Sequence, residues 1–209
     1  LVVQASVLHE MQSLQELGAG IMEISTLVPL DTLPQSIATD LVKTRAKRSE
    51  LTFEDDALDL IVDMSGGNPY LLNVLCHRAV ELLGETNGTQ IGKVIAEAAI
   101  TQALLTQASS YFRHLSLMFE DNIDWRIARC LAEAEDTQVQ HCRSVQNLAL
   151  QLGLTNDQAQ SRLNRLQEKG LLQFRTFDST SICQLKVPLF SRWLLHSQHS
   201  NEQEEARGS

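Results

Sequence analysis

No stretch of this chain approaches the roughly eighteen consecutive apolar residues that a membrane-spanning helix needs, although 43% of its 209 residues are hydrophobic. No signal peptide is visible either. Cysteine is scarce. Cys76, Cys130, Cys142 and Cys183 form no C-x-x-C pair, and the adjacent Cys76–His77 and His141–Cys142 lack the spacing of structural zinc ligands. Reduced, packed thiols in a cytosolic, cytoplasmic protein are therefore expected, with no metal site. A basic excess is missing as well: the net charge of −9 argues against wholesale coating of nucleic acid. No repeat period is present. The histidines (His9, His77, His114, His141, His196, His199) have no serine or cysteine partner at a spacing that suits nucleophilic catalysis. No catalytic residue is assigned.

What is present is enough apolar material for one or two compact domains and an uneven spread of charge. Residues 31–110 carry six Lys/Arg against eleven Asp/Glu, a net of −5, whereas residues 138–195 carry seven against three, a net of +4. The chain opens with Leu1 inside an apolar run and closes on a polar tail whose last three residues look appended. It reads as a piece of a longer protein.

"LVVQAS" (1–6) has the pattern of a buried strand, followed by a short helix through Met11–Leu17 and a second strand near Ile21–Leu27. A break at 28–34 leads into some eighty residues of nearly continuous helix. One helix is expected from about Leu33 to Lys47. The next takes Thr52 as N-cap, with Phe53, Ala57, Ile61 and Met64 as its apolar stripe and Asp55, Asp56 and Asp59 in its first turn and on its exposed face. "SGGNPYLLNVLC" (65–76) punctuates the following one. Gly66 and Gly67 end a helix, Asn68 is a good N-cap, and Pro69 suits the first helical position. The new helix buries Leu71, Leu72, Leu75, Ala79 and Leu82 and stops before Gly84. A fourth runs from about Gln90 past Leu105, as far as Leu117.

Near Asp121–Trp125 the pattern changes. A helix over about Asp124–Ala134 and a polar loop, "EDTQVQHC", precede a short helix carrying Val145, Leu148 and Ala149 and a turn at Gly153. Thr155 caps a further helix with Ala159, Leu163 and Leu166 inward, and Gly170 ends it. Residues 171–187 alternate like a hairpin turning at Asp178–Ser179, and Pro188 opens the last helix. This is the element order of a winged helix-turn-helix.

Taken together, the strand ending in Ser6, "LVPL", "LTFEDDALDLI", "GGNPYLLNVLC", "YFRHL", "SRLNRLQEKGLL" and "VPLFSRWL" resemble the C-terminal half of STAND ATPases, a branch of the P-loop/AAA+ superfamily. The resemblance covers about residues 1–197. It implies a mainly α chain with a short N-terminal α/β remnant of an ATPase core (1–30). A helical AAA+-type lid (31–117), a winged helix with a β-hairpin wing (118–197) and a disordered tail (198–209) would follow. It also implies ATP or ADP with magnesium in the intact protein, although no cofactor is expected for this piece alone. Gly67, Asn68 and Pro69 match the lid motif that approaches the nucleotide. A helix N-terminus offers free N–H groups and a positive dipole to an anion. Ser6 stands where the first sensor of the terminal phosphate would sit.

Departures accompany the match. No G-x-x-x-x-G-K-[ST] loop occurs, no strand ends in the paired acids that hold magnesium, and "GGNPYLLNVLC" has no obvious second-sensor arginine, Arg78 lying more than two turns into the helix. No ATP hydrolysis is expected from this chain alone. Two readings of the winged helix stand side by side. In one it locks and releases the lid, with the upstream ATPase core, an effector protein or further copies of itself as partners. In the other it binds duplex DNA, as in AAA+ ATPases of the origin-recognition or transposition type, through Arg162, Arg165 and Lys169 on the helix and Arg175 and Lys186 in the hairpin. An unrelated helical adaptor with a winged-helix tail is the third possibility. No membrane partner is expected.

Overall fold

The computed structural model describes residues 32–86, 88–136, 144–177 and 180–207, and from Leu33 onward they belong to one compact unit. Ser6, the strands expected at 1–6 and 21–27, the helix expected at Met11–Leu17 and the Asp178–Ser179 turn lie outside the described residues, as does most of the polar loop.

Among the described residues the architecture is mainly helical, with two small sheets. α1 (Gln35–Arg48), α2 (Asp55–Ser65), α3 (Pro69–Gly84), α4 (Lys93–Leu105) and α5 (Gln107–Ser116) form a first bundle. β1 (Thr52–Phe53), just before α2, and β2 (Gln90–Ile91), after α3, pair in parallel. α6 (Asn122–Asp136), α7 (Val145–Leu152), α8 (Asn156–Glu168), the antiparallel hairpin of β3 (Leu172–Phe177) with β4 (Thr180–Leu185), and α9 (Pro188–Arg207) follow. The helical backbone of α9 runs on through much of the expected tail.

Two expected boundaries move. Thr52 does not cap α2. Its N–H donates to the Thr89 carbonyl at 2.9 Å, and Glu54 N–H donates to the Ile91 carbonyl at 2.9 Å. The backbone that would have framed a cap is committed to the two-residue ladder. Glu54 stands at the N-cap position with no side-chain cap hydrogen bond, and the acids Asp55 and Asp56 complement the helix dipole instead. With Phe53 in β1, the buried stripe of α2 is Ala57, Leu58, Ile61 and Val62. The long fourth helix is also two helices, broken at Thr106, where φ −125° and ψ −108° leave the helical region.

Other signals behave as their chemistry dictates. Asn68 caps α3, Ser144 caps α7, and Thr155 and Gln158 form a reciprocal capping box on α8. Gly153 and Gly170 take positive φ after α7 and α8. A continuous core of Leu, Ile, Ala and Phe side chains runs from Ala38 to Leu194, so the first bundle and the C-terminal elements share one interior.

Candidate functional site

The Gly66–Pro69 turn joins α2 to α3 and is tightly enclosed. Gly66 and Gly67 both adopt left-handed geometry, φ +57° and +72°. A Cβ on Gly67 would stand 2.3 Å from the Leu33 carbonyl oxygen, and one on Gly66 would stand 2.6 Å from the Lys186 carbonyl oxygen. The backbone of this turn therefore touches the start of α1 on one side and the β4–α9 junction on the other. Leu33 N–H donates to the Gly67 carbonyl at 2.7 Å. Ser65 Oγ donates to the Val62 carbonyl and accepts from Gly67 N–H.

Asn68 is buried at 7% exposure and completes the cap. Its Oδ1 accepts from Tyr70 N–H at 3.0 Å and Leu71 N–H at 3.1 Å, and its Nδ2 donates to the Tyr111 hydroxyl at 2.9 Å. Pro69 has no N–H, and Leu72 N–H bonds the Asn68 carbonyl. The expectation that this N-terminus offers free N–H groups to an anion is thus corrected, because its own asparagine takes them. What the turn turns outward is the part-exposed Pro69 and the Tyr70 ring, 43% exposed and tilted against Tyr111 with centroids 5.3 Å apart.

The basic residues of α8 meet acids of this same chain. Arg162 Nη1 donates to Asp121 Oδ1 at 2.8 Å and to Asp124 Oδ1 at 2.9 Å. Arg165 Nη2 donates to both oxygens of Asp124, and its Nη1 pairs with Glu120. Lys169 Nζ donates to Glu120 Oε1 and to the Met118 carbonyl, each at 2.8 Å. Asp124 is fully buried and also accepts Glu120 N–H. Asp121 caps α6 by accepting from Ile123 and Asp124 N–H. The Arg162 hydrogen bond is the main reason its carboxyl sits at about 2, below the ordinary 3.8, and Arg162 is raised in return. The three α8 cations therefore brace α8 against the start of α6. Arg175 is exposed on β3, and Lys186 lies part-buried at the end of the hairpin.

Glu120, Asp121 and Asp124 are the residues that sequence reasoning missed. Their clustering at a helix start reads as dipole complement, and nothing local points to partners some forty positions away. Elsewhere, Glu135 accepts from Leu185 N–H at 3.1 Å and from the Ser191 hydroxyl, tying α6 to the hairpin and α9. Burial pushes the Cys76 and Cys183 thiols up to about 12, so both remain protonated and unreactive at neutral pH. No cluster of His, Cys, Asp or Glu able to hold a metal is present among the described residues, nor is any helix long and apolar enough to cross a membrane.

No known protein family and no curated protein matches this chain. Among solved structures it is similar to RuvB of Thermotoga maritima, a Holliday junction branch migration motor. The identity is 18% and the TM-score 0.36, over 74% of this chain and 47% of that one. Two point variants of the same RuvB protein give the same values. The chain spans about half the length of these structures.

Proposed function

We propose that this chain is the lid and winged-helix part of a STAND-type P-loop/AAA+ ATPase. It couples the nucleotide state of an upstream core to conformational signalling or oligomerisation. The observation that carries this reading is the Gly66–Pro69 turn, which links the α1 start, Tyr111 of α5 and the β4–α9 junction through direct contacts. A displacement imposed at Pro69 would reach the C-terminal elements without crossing a flexible linker. Such coupling needs two arrangements that a ligand binds with different affinity.

Gly67, Asn68 and Pro69 stand beside the nucleotide in this reading, with Pro69 and the Tyr70 ring giving apolar contact to base or ribose. Phosphate and magnesium would be held by the core, which also supplies any hydrolysis. The switch reading gains over duplex binding because Arg162, Arg165 and Lys169 are engaged by Glu120, Asp121 and Asp124. Arg175 and Lys186 alone make a small electrostatic footprint for DNA.

The test is titration of fluorescent ADP into the protein carrying its natural upstream sequence. Saturable binding, weakened about tenfold by Tyr70→Ala, supports the reading, and no nucleotide binding overturns it. Duplex DNA serves as the counter-probe. Micromolar binding by this chain that falls steeply with salt and is lost in Arg175→Ala would favour the DNA module instead.

A further inference from the structure

We propose that the tyrosines and tryptophans of this chain form one redox relay, which carries an oxidising equivalent from the joint of α5, α6 and α9 out to Tyr70 at the surface. The proposal rests on ring geometry and not on the nucleotide reading, so either can fail without the other.

The chain has two tyrosines and two tryptophans, and all four fall into a single run of packed rings. Tyr70 lies 5.3 Å from Tyr111, centroid to centroid, and Tyr111 lies 5.6 Å from Phe112. Phe112 lies 6.0 Å from Trp193, and Trp193 lies 6.2 Å from Trp125. Each step is within the range of packed aromatic pairs. Indoles and phenols are the aromatic side chains that give up an electron readily, and phenyl rings are not. Tyr111 and Trp193 are separated by one such ring, which an electron crosses by tunnelling while Phe112 itself stays unoxidised.

The two ends of the run differ. Trp193 is buried at 8% exposure with Trp125 part-buried beside it, whereas Tyr70 is 43% exposed. At neutral pH a tryptophanyl radical is a stronger oxidant than a tyrosyl radical, so transfer runs toward tyrosine. Exposure then favours Tyr70 over Tyr111. The Tyr70 phenol hands its proton directly to water, while the Tyr111 hydroxyl is part-buried and accepts from Asn68 Nδ2 at 2.9 Å.

The chemistry balances. A one-electron oxidant such as the azidyl radical takes an electron from an indole and becomes azide. The indole N–H proton passes to water and leaves a neutral tryptophanyl radical. Tyr70 then gives an electron along the rings and its phenolic proton to water, and the indole takes up that electron and a proton. The tryptophan is restored, and the tyrosyl radical stands at the surface, where a soluble reductant such as ascorbate supplies a hydrogen atom. The aromatic joint is thereby repaired without a reductant having to reach it.

The test is pulse radiolysis of the whole chain in azide solution, following the separate absorption bands of the two radicals. The tryptophanyl band should decay as the tyrosyl band grows, at a rate independent of protein concentration. Tyr111→Phe keeps the ring but removes the stepping stone, and should slow that transfer about tenfold. Tyr70→Phe should strand the radical on Tyr111 and make its repair by ascorbate about tenfold slower. Circular dichroism confirms that the variants fold, and the exposed Tyr70→Phe keeps the test open should Tyr111→Phe not. Absence of the tyrosyl band, a transfer rate proportional to protein concentration, or indifference to either substitution would each overturn the proposal.

Discussion

The first bundle and the C-terminal elements share one core but are secured by different means. Among the described residues between Leu33 and Ser116, the buried polar ones are Ser65 and Asn68, both at the Gly66–Pro69 turn. Close backbone approach and aliphatic packing do the rest. Beyond Glu120 the elements are pinned by charge: buried Asp124 between Arg162 and Arg165, and Glu135 on Leu185 and Ser191. The first region is thus sensitive to added volume and the second to lost charge. A region held by buried ion pairs must keep its partners in place, because an abandoned charge costs more than the pair contributes.

The sharpest way to break this contrast is Gly67→Ala. One methyl group would meet the Leu33 carbonyl at 2.3 Å in a backbone of positive φ. We expect a loss on the order of 3 kcal/mol or more in urea unfolding. A loss below about 1 kcal/mol would show that the turn can relax.

Asp124→Ala comes next. It removes the buried carboxylate that Arg162 and Arg165 share, while Arg162 keeps Asp121, Arg165 keeps Glu120 and both stay partly solvated at 22% and 34% exposure, so we expect roughly 2 kcal/mol rather than the full cost of a broken buried pair. Should Asp124→Ala unfold at the wild-type urea midpoint, the C-terminal region is not held by charge. Asn68→Ala removes a cap and the Tyr111 partner and should cost about 1–2 kcal/mol. A serine in its place, which restores the cap without the Tyr111 bond, should recover part of that loss.

The smallest effect concerns acid. The Asp121 carboxyl is lowered to about 2 in the folded state from an ordinary 3.8. Its contribution to stability is complete above the ordinary value and disappears as pH falls through about 2. Melting temperatures recorded from about pH 4 to about pH 2 should fall less steeply in Asp121→Asn than in the wild type. Parallel slopes would argue that Arg162 does not hold this carboxylate.

How much of this could be read beforehand follows from how local each signal is. Asn68, Thr155, Gly153 and Gly170 act on backbone within a few residues, and each does what its chemistry requires. The Thr52 cap failed because a segment nearly forty residues later claimed its backbone. The break at Thr106 lies within a run whose side-chain pattern continues as helix, so periodicity could not place it. The α8 arginines illustrate the same limit at the candidate site. A solvent-facing cation and one reaching a distant carboxylate have the same sequence, and only the fold distinguishes them. At Gly66 and Gly67 the residue type announced a special backbone, yet not that Leu33 and Lys186 would be the neighbours that demand it.

One arrangement of rings has an optical consequence. The chain has two tryptophans, and Trp125 and Trp193 stand 6.2 Å apart. Phe112 and Phe190 pack on Trp193, Phe119 packs on Trp125, and the Trp193 indole N–H donates to Ser109 Oγ. All indole emission therefore originates where α5, α6 and α9 converge, and two indoles at this separation should couple as an exciton pair in the ultraviolet. The protein carries a built-in chromophore at the joint between its two regions, readable without a label.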